Sequence, residues 1–391
     1  MYIKNFKRLP NMNLNPPKLN MDTPISIIIG ENGCGKSHLL ASLAYVGPDE
    51  DNIVLAIATS IYDKFPKRNY HRNYHYMGAR LGRFIPREVI KQAVIKTDFL
   101  NSKEFTSIYK VLDYTGYDQK IGFKFSGLSS DYLEQLFTIA DIDDSSLEKA
   151  IHAMSSLGST SQYINLEFDI LWFNNNEKRY NSNEVLLSEL LQLEKILRKH
   201  KIIKSIDIYL SKKNRSFPLN KASSGELSLI STLIFISSFI DYNTLILIDE
   251  PENSLHPKWQ KRYISMIMDM FSYHRPRIVV ATHSPIIISG THAEKGVDIH
   301  KHTNSGFQLD NHFIKNTEEI YSDLFDLITP ASRTLSNNCS KLLNDYSDEI
   351  ITFSQAANQI TNYISMSYDD AQIEFLQGIN DLLNQIKDNR D

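Results

Sequence analysis

Residues 23–44 read TPISIIIGENGCGKSHLLASLA, and the order of residue types in this stretch decides the fold. Ile25 to Ile29 form a short β-branched run suited to a buried strand. Gly30-Glu31-Asn32-Gly33-Cys34-Gly35 is too rich in glycine to continue that strand, and Lys36-Ser37 opens a helical pattern. Strand, tight loop and helix are the context that G-x-x-x-x-G-K-[ST] requires, and Gly30 to Ser37 match it throughout. Glycines let successive backbone N–H groups turn inward around a phosphate. Lys36 then reaches the β- and γ-phosphates, and the Ser37 hydroxyl ligates Mg2+. ATP and Mg2+ are therefore the expected ligands, with Gly30, Glu31, Asn32, Gly33, Cys34, Gly35, Lys36 and Ser37 as the cradle. Cys34 reads as a small side chain at a variable loop position.

Far downstream, TLILIDEPENSLHP (residues 244–257) carries the apolar run Leu245 to Ile248, which ends in Asp249 and Glu250. Two acids at the end of a buried strand are costly without a compensating cation, which places them beside the nucleotide. Asp249 is the expected Mg2+ ligand, and Glu250 is expected to orient and deprotonate the attacking water. A third apolar run, RIVVATHSPIIIS (277–289), ends in Thr282, His283 and Ser284, within reach of a γ-phosphate. Between the P-loop and the acidic strand lies KASSGELSLIST (221–232), a helix start built of small residues. Such a start presents free N–H groups and a positive dipole end, and suits an anion.

P-loop, SSGE helix start, DE-ending strand and THS-ending strand stand in one order. In this they resemble the ABC-type ATPases, nearer to the RecF, SMC and OLD-like branch than to the transporters. The resemblance implies that Ala222 to Glu226 is the signature that meets the γ-phosphate of a nucleotide held by a second subunit, with Ser223, Ser224, Gly225 and Glu226 as cofactor-binding residues. It implies that His283 is the switch histidine, and that Asn253-Ser254-Leu255-His256 lies at the seam of a head-to-tail ATP sandwich dimer. Higher even oligomers would be built from such pairs. Ser224 and Glu226 stand where transporter ATPases carry Gly and Gln, which weakens any transport reading. The Q-loop is left open among Gln92, Gln119 and Gln162, and the adenine contact is assigned to the Lys4 to Arg8 segment only by analogy.

The chain has 391 residues, 42% of them hydrophobic and 23% charged, an ordinary globular composition long enough for several structural units. The apolar helix LISTLIFISSFI is too short to cross a bilayer, and MYIKNFKRLP leads into NMNLNPPKLN without an apolar core, so neither a membrane span nor a secretory signal is expected. Two cysteines build neither a disulfide framework nor a zinc site, which points to the cytoplasm. The net charge of -4 excludes a uniformly basic nucleic-acid binder and leaves room for a local basic patch.

The expected organisation is an α/β P-loop ATPase head with a mixed or parallel sheet. Its lobes are 1–60 and 205–310, around an inserted α+β and helical arm at 61–204, with a helical C-terminal region at 311–391. The insertion lacks sustained heptads, which excludes a long coiled coil. KIGFKFSG (120–127) and SIDIYLSKKNRSFPLN (205–220) read as strands, EVLLSELLQLEKILRKH (184–200) as a helix, and Ser145 to Glu148 as a capping box. KFPKRNYHRNYHYMGARLGRF (64–84) repeats RNYH and mixes cations with five aromatics. Lys67, Arg68, Arg72, Arg80 and Arg83 are the candidate contacts to DNA or RNA, against the alternative of a strand with buried tyrosines. Near the C-terminus, Ile350, Phe353, Ala357, Ile360 and Ile364 share a helical face, and Ile373, Leu376, Leu383 and Ile386 continue the pattern. No strand-borne Glu and Asp-x-Asp set of a Toprim nuclease follows, which argues against cleavage by this chain.

The short insertion and intact motifs resemble the ATPase subunits of bacterial anti-phage systems of the Septu (PtuA) type, retron-associated versions included, whose partner is an HNH nuclease. The alternatives are a RecF-like repair ATPase acting directly on DNA, and a scaffold that holds ATP with little turnover. Glu250 argues against the scaffold, which has no need of a base beside the γ-phosphate.

Overall fold

The computed structural model describes residues 23–388 except 50, 68–69, 83, 97–102, 130, 140–142, 160–168, 175–181, 292–293, 295, 311–319, 322–332 and 368–369. The Lys4 to Arg8 segment, Arg68, Arg83 and Gln162 lie outside the described residues. The first elements are β1 (Ile25–Ile29), α1 (Lys36–Val46), β2 (Val54–Ala58) and β3 (Tyr74–Gly78). Next come α2 (Ile85–Ile95), α3 (Lys103–Tyr114), β4 (Lys120–Ser126), α4 (Tyr132–Phe137), α5 (Asp144–Ser159), β5 (Leu171–Asn174), α6 (Ser182–Lys199), β6 (Ser205–Lys212) and β7 (Arg215–Pro218). The chain continues with α7 (Ser224–Phe239), β8 (Leu245–Asp249), α8 (Pro257–Phe271), β9 (Arg277–Ala281), α9 (Pro285–Gly290), β10 (Val297–Thr303) and β11 (Gly306–Asp310). Helices α10 (Arg333–Ser347), α11 (Phe353–Met366) and α12 (Asp370–Asp388) follow.

Seven strands form one sheet in the order β11-β10-β1-β9-β8-β2-β3, parallel except for β11 on β10. This is the mixed α/β sheet expected from the sequence. Every residue of β1, β2 and β8 is buried, because both faces of the sheet are covered. That is why these strands read as continuous apolar runs rather than as alternation. Ile28, Val54, Ala56, Leu245 and Leu247 pack against Leu39, Leu40 and Leu43 of α1, while Ile27, Ile29, Leu55, Ile57 and Ile248 join a larger cluster on the other face. That cluster runs through α7, whose residues Leu229 to Ile236 are all buried. α7 is apolar all round because α2 and α3 pack on it as well as the sheet.

A second sheet, in the order β5-β4-β6-β7, is antiparallel throughout. Its β6–β7 hairpin turns at Lys213 and Asn214, both left-handed, and Asp118 accepts from their two backbone N–H groups at 3.1 and 3.0 Å. The core of this sheet is continuous with the main one: Phe123, Phe125, Leu187 and Leu190 belong to the same cluster as Ile27 and Ile248. The expected boundaries therefore shift. β3 lies beyond residue 60 yet pairs with β2 in the main sheet, and β6 and β7 lie after residue 204 yet belong to the inserted sheet. A parallel edge strand needs no local hairpin, so nothing near residues 61–73 announces it.

The 64–84 segment is mostly this edge strand. Tyr74 and Tyr76 are buried, and their hydroxyls donate to the Pro66 carbonyl (2.7 Å) and to Asp63 (2.9 Å). The Tyr70 hydroxyl donates to the Ala44 carbonyl on α1. His75 stacks on Phe239 with ring centroids 3.9 Å apart, and burial pulls its pKa down to about 4. Arg80 is a correction. Its Nε donates to Asp63 Oδ2 at 2.7 Å, and its Nη2 donates to Asp63 Oδ1 and the Phe65 carbonyl, so the guanidinium is committed to a buried carboxylate and is withdrawn from any phosphate. Lys67 and Arg72 remain exposed.

The cap of α5 is Asp143, whose Oδ1 accepts from Ser146 N at 2.9 Å. Helices α10 to α12 pack on one another through Leu335, Cys339 and Leu376 and through Tyr346, Ala356, Ile360 and Leu383. Ile350 falls off this stripe and is 69% exposed. The Thr352–Gln355 capping box starts α11 after it. Among the described residues no helix is long and apolar enough to cross a membrane.

Removing the Arg80 guanidinium leaves the Asp63 carboxylate buried without its cation. Arg80→Ala is expected to lower unfolding stability by about 3 kcal/mol, since breaking one partner of a buried pair strands the other. Asp63→Asn should cost less. Urea denaturation of the two variants measures the difference, and equal losses would show that the pair is not what holds the edge strand.

Candidate functional site

Strands β1, β9 and β8 lie side by side in parallel, and their register brings their carboxyl ends level, with Ile28 opposite Ala281 and Ala281 opposite Asp249. Two hydrogen bonds carry the ladder one residue further: Thr282 N donates to the Ile28 carbonyl (3.1 Å) and Glu250 N to the Ala281 carbonyl (2.9 Å). The glycine loop, the acid pair and the Thr-His-Ser turn thus emerge at one sheet edge, where ligands bind in open parallel sheets.

Gly35 takes φ 101° just before α1, a left-handed position that disfavours any residue with a Cβ. Gly30 has a different reason, since a Cβ there would sit 2.8 Å from the Cβ of His302 on β10. Lys36 is 5% exposed, and its Nζ donates to the carbonyls of Gly30 (2.9 Å) and Glu31 (3.0 Å). Burial lowers its pKa. Glu31, Asn32 and Gly33 are exposed at the loop tip, and the half-buried Cys34 packs beside the lysine.

Ser37 Oγ donates to Asp249 Oδ1 at 3.2 Å, joining residues 212 positions apart. Asp249 is 1% exposed, and burial pushes its carboxyl up to about 7. A serine hydroxyl and a buried carboxylate on adjacent elements fit a hard divalent cation, whose charge would offset the burial of the acid. Glu250 stands at φ 50°, ψ 54°, a left-handed conformation that a non-glycine residue holds only when its surroundings fix it. The Thr59 hydroxyl donates to its carbonyl, and Asn253 Nδ2 donates to its Oε2 at 3.0 Å. His283 Nε2 is 3.6 Å from Glu250 Oε1. Burial, then the charge of Lys36, lowers the His283 pKa, which favours neutral imidazole.

Glu252 was not singled out by the sequence. Its Oε1 accepts from the backbone N–H of His283 at 2.6 Å, so it ties the histidine turn to the acidic strand's exit. Burial raises its pKa. The only sequence signal was the last acid of DEPE, which reads equally well as part of a solvated turn. Asn253 and His256 are exposed, and the His256 side chain caps α8 by accepting from Lys258 N at 3.2 Å.

The SSGE segment is built differently from the other three. Ser223 Oγ accepts from Glu226 N (3.2 Å), and Glu226 Oε2 accepts from Ser223 N (3.4 Å), a complete capping box on α7. Glu226 is also gripped by Lys212 at the end of β6 (2.6 Å) and by the Tyr117 hydroxyl (2.8 Å), and Lys212 lies over the Tyr117 ring. Its carboxylate therefore links the helix start to the inserted sheet. Hydrogen bonding holds its pKa below the usual range against the opposing effect of burial. Ser223 and Ser224 are exposed, and Gly225 partly so. Among the described residues no hydrogen bond or ion pair connects Ser223 to Glu226 with the P-loop, Asp249 or Glu250 of the same chain. Gln92, one Q-loop candidate, lies on α2 and lines a cavity of about 200 Å³ with Phe235 and Phe239.

Residues 104–289, just under half of the chain, match the family described as "AAA domain, putative AbiEii toxin, Type IV TA system". The match takes in Glu226, Asp249, Glu250 and His283, and the P-loop lies upstream of it. Protein ea59 of Escherichia phage lambda is 27% identical over 110 residues, which are 27% of this chain and 21% of that protein. The chain thus spans about a fifth of the length of that curated relative. Among solved structures, the SMC head domain from Thermotoga maritima is similar at 15% identity and TM-score 0.23, over 27% of this chain and 40% of that one. The Smc head domain from Pyrococcus furiosus, bound to the C-terminal domain of ScpA, is similar at 11% identity and TM-score 0.27, over 73% of this chain and 89% of that one.

Ser223→Ala removes one half of the capping box and is expected to lower stability by about 1 kcal/mol. Glu226→Ala removes the other half together with the Lys212 and Tyr117 contacts, and should lower it further. Glu226→Gln, which keeps a capping amide, should fall between wild type and Glu226→Ala in thermal melting. Equal melting of all three variants would show that the Lys212 and Tyr117 contacts contribute nothing.

Proposed function

We propose that this chain is an ATP-hydrolysing, ABC-type ATPase that closes head to tail around two nucleotides and controls a separate effector protein. One observation carries the reading: Lys36, Ser37, Asp249, Glu250 and His283 converge at the shared carboxyl edge of three parallel strands. The glycine loop N–H groups and Lys36 bind the phosphates. Ser37 and Asp249 would hold Mg2+, which would supply charge neutralisation to the nucleotide's phosphates. Glu250 orients a water for in-line attack and accepts its proton, and neutral His283 donates toward the γ-phosphate. Asn253 holds the Glu250 carboxylate, and Glu252 fixes the His283 backbone.

Pairing is supported by the exposed Ser223 and Ser224, which among the described residues make no hydrogen bond to their own chain's nucleotide loop. The SSGE helix start offers its N-terminal N–H groups to the partner's γ-phosphate. Control of a separate effector in anti-phage defence rests on the resemblance of the motifs to the ATPase subunits of such systems, while the matching family, described as "AAA domain, putative AbiEii toxin, Type IV TA system", supports the ATPase part of the reading. A nuclease is the effector class this reading favours.

Glu250→Gln is expected to bind ATP with near wild-type affinity and to lose hydrolysis by at least a hundredfold, whereas Lys36→Ala should weaken nucleotide binding itself. Phosphate release and fluorescent-nucleotide titration separate the two, and normal turnover in both variants would overturn the site assignment. Native mass spectrometry of Glu250→Gln, expressed with its neighbouring genes, tests the assembly. Mg-ATP-dependent even multiples of the 45.0 kDa chain support pairing, and additional mass identifies the effector.

A further inference from the structure

The inserted sheet carries a concavity of about 500 Å³ at the end of β4, floored by Gly127 and Ile203. Its rim is cationic: Lys195, Arg198 and Lys199 from the last turns of α6, then Lys201 and Lys204 from the segment that follows. Lys195, Arg198 and Lys199 stand at i, i+3 and i+4, so they share one helix face. Lys201 then takes φ 58°, which turns the chain at the helix end. The returning segment is pinned in place: Lys204 N donates to the Ser126 carbonyl at 2.8 Å, and Ser129 N donates to the Ile202 carbonyl at 2.9 Å. A Cβ on Gly127 would sit 2.8 Å from the Cβ of Lys204, so the floor is bare backbone.

A helix C-terminus favours nearby cations, and that accounts for Arg198 and Lys199. It does not account for Lys201 and Lys204, which lie beyond the helix and line the same bowl. Among the described residues no carboxylate pairs with Lys195, Arg198, Lys201 or Lys204, in a chain whose net charge is -4. Four like charges held around one hollow repel one another, and an anionic ligand relieves that repulsion.

We propose that this concavity binds the phosphodiester backbone of nucleic acid without sequence preference. Among the described residues, the side chains at the rim are long cationic ones, with no aromatic ring to stack on a base and no amide or carboxylate to read a base edge. An acidic protein surface fits less well, because Ile203 is 1% exposed and no aromatic or aliphatic anchor projects from the bowl. The site is separate from residues 64–84, where Arg80 is held by Asp63.

The test is fluorescence anisotropy of the full chain with a labelled thirty-nucleotide oligo(dT), titrated between 50 and 200 mM NaCl. Four neutralised phosphates contribute about -2.8 to the log-log salt slope for a single strand, so affinity should fall about fiftyfold across that range. Reversing Lys195, Arg198, Lys201 and Lys204 to Glu should abolish binding at 50 mM NaCl. The same four changed to Gln should flatten the slope by about 3 while leaving the fold intact by circular dichroism, and this set decides the matter should the reversed one fail to fold. Absence of binding at 50 mM NaCl, or an unchanged slope in the Gln variant, overturns the proposal. Tighter binding of poly-glutamate than of oligo(dT) overturns it in favour of an acidic protein partner.

Discussion

The parallel register of β1, β9 and β8 is the constraint on which the rest of this molecule depends. Because Ile28, Ala281 and Asp249 stand level across three strands, the residues that follow each of them are forced to the same edge. A shift of one residue in any strand would turn its side chains to the opposite face. The core prevents it, since Ile28 and Val279 pack toward α1 while Ile27, Ile248 and Val280 pack toward α7. Burial on both faces thus fixes the position of Lys36, Glu250 and His283, and the left-handed backbone at Glu250 is sustained by what surrounds it.

The inserted residues serve the same geometry from the other side. Their helices α2 and α3 cover α7, which lets an all-apolar helix lie between two layers and positions its N-terminus. Glu226 is then held by three different parts of the chain: its own cap residue Ser223, Lys212 of β6 and Tyr117 ahead of β4. The strand that ends in Lys212 begins one residue after Lys204, so one rigid β6 joins the basic concavity to the SSGE helix start. Arg87 and Lys91 of α2 meet Glu194 of α6 nearby, and Glu194 also accepts from Ile206 N at 3.3 Å, which ties this strand to both helices.

Two cation-rich segments came to different ends. Around residue 70 the aromatics supply apolar area to an edge strand, and Arg80 turns inward onto the buried Asp63 carboxylate. Around residue 200 the cations follow a helix whose apolar face is already satisfied, so their stems have no core to enter and their heads stay outside. The buried Asp63 carboxylate is what draws Arg80 inward in the first.

By itself the sequence determined the nucleotide loop, the acid-ended strand, the helix start at Ser223 and the buried character of α7. Each is a local signal, carried by residues within a few positions of one another and read through glycine backbone freedom, apolar run length or cap spacing. It placed Asp249 beside the P-loop by a charge argument, and the Ser37–Asp249 hydrogen bond agrees with it. Only the tertiary structure decided that Tyr74 to Gly78 joins the main sheet, that Glu252 holds the His283 backbone, that Arg80 is withdrawn into an ion pair and that five cations ring one hollow. These depend on partners supplied by distant segments, through parallel pairing and burial, and neither leaves a periodic or compositional trace at the residue concerned.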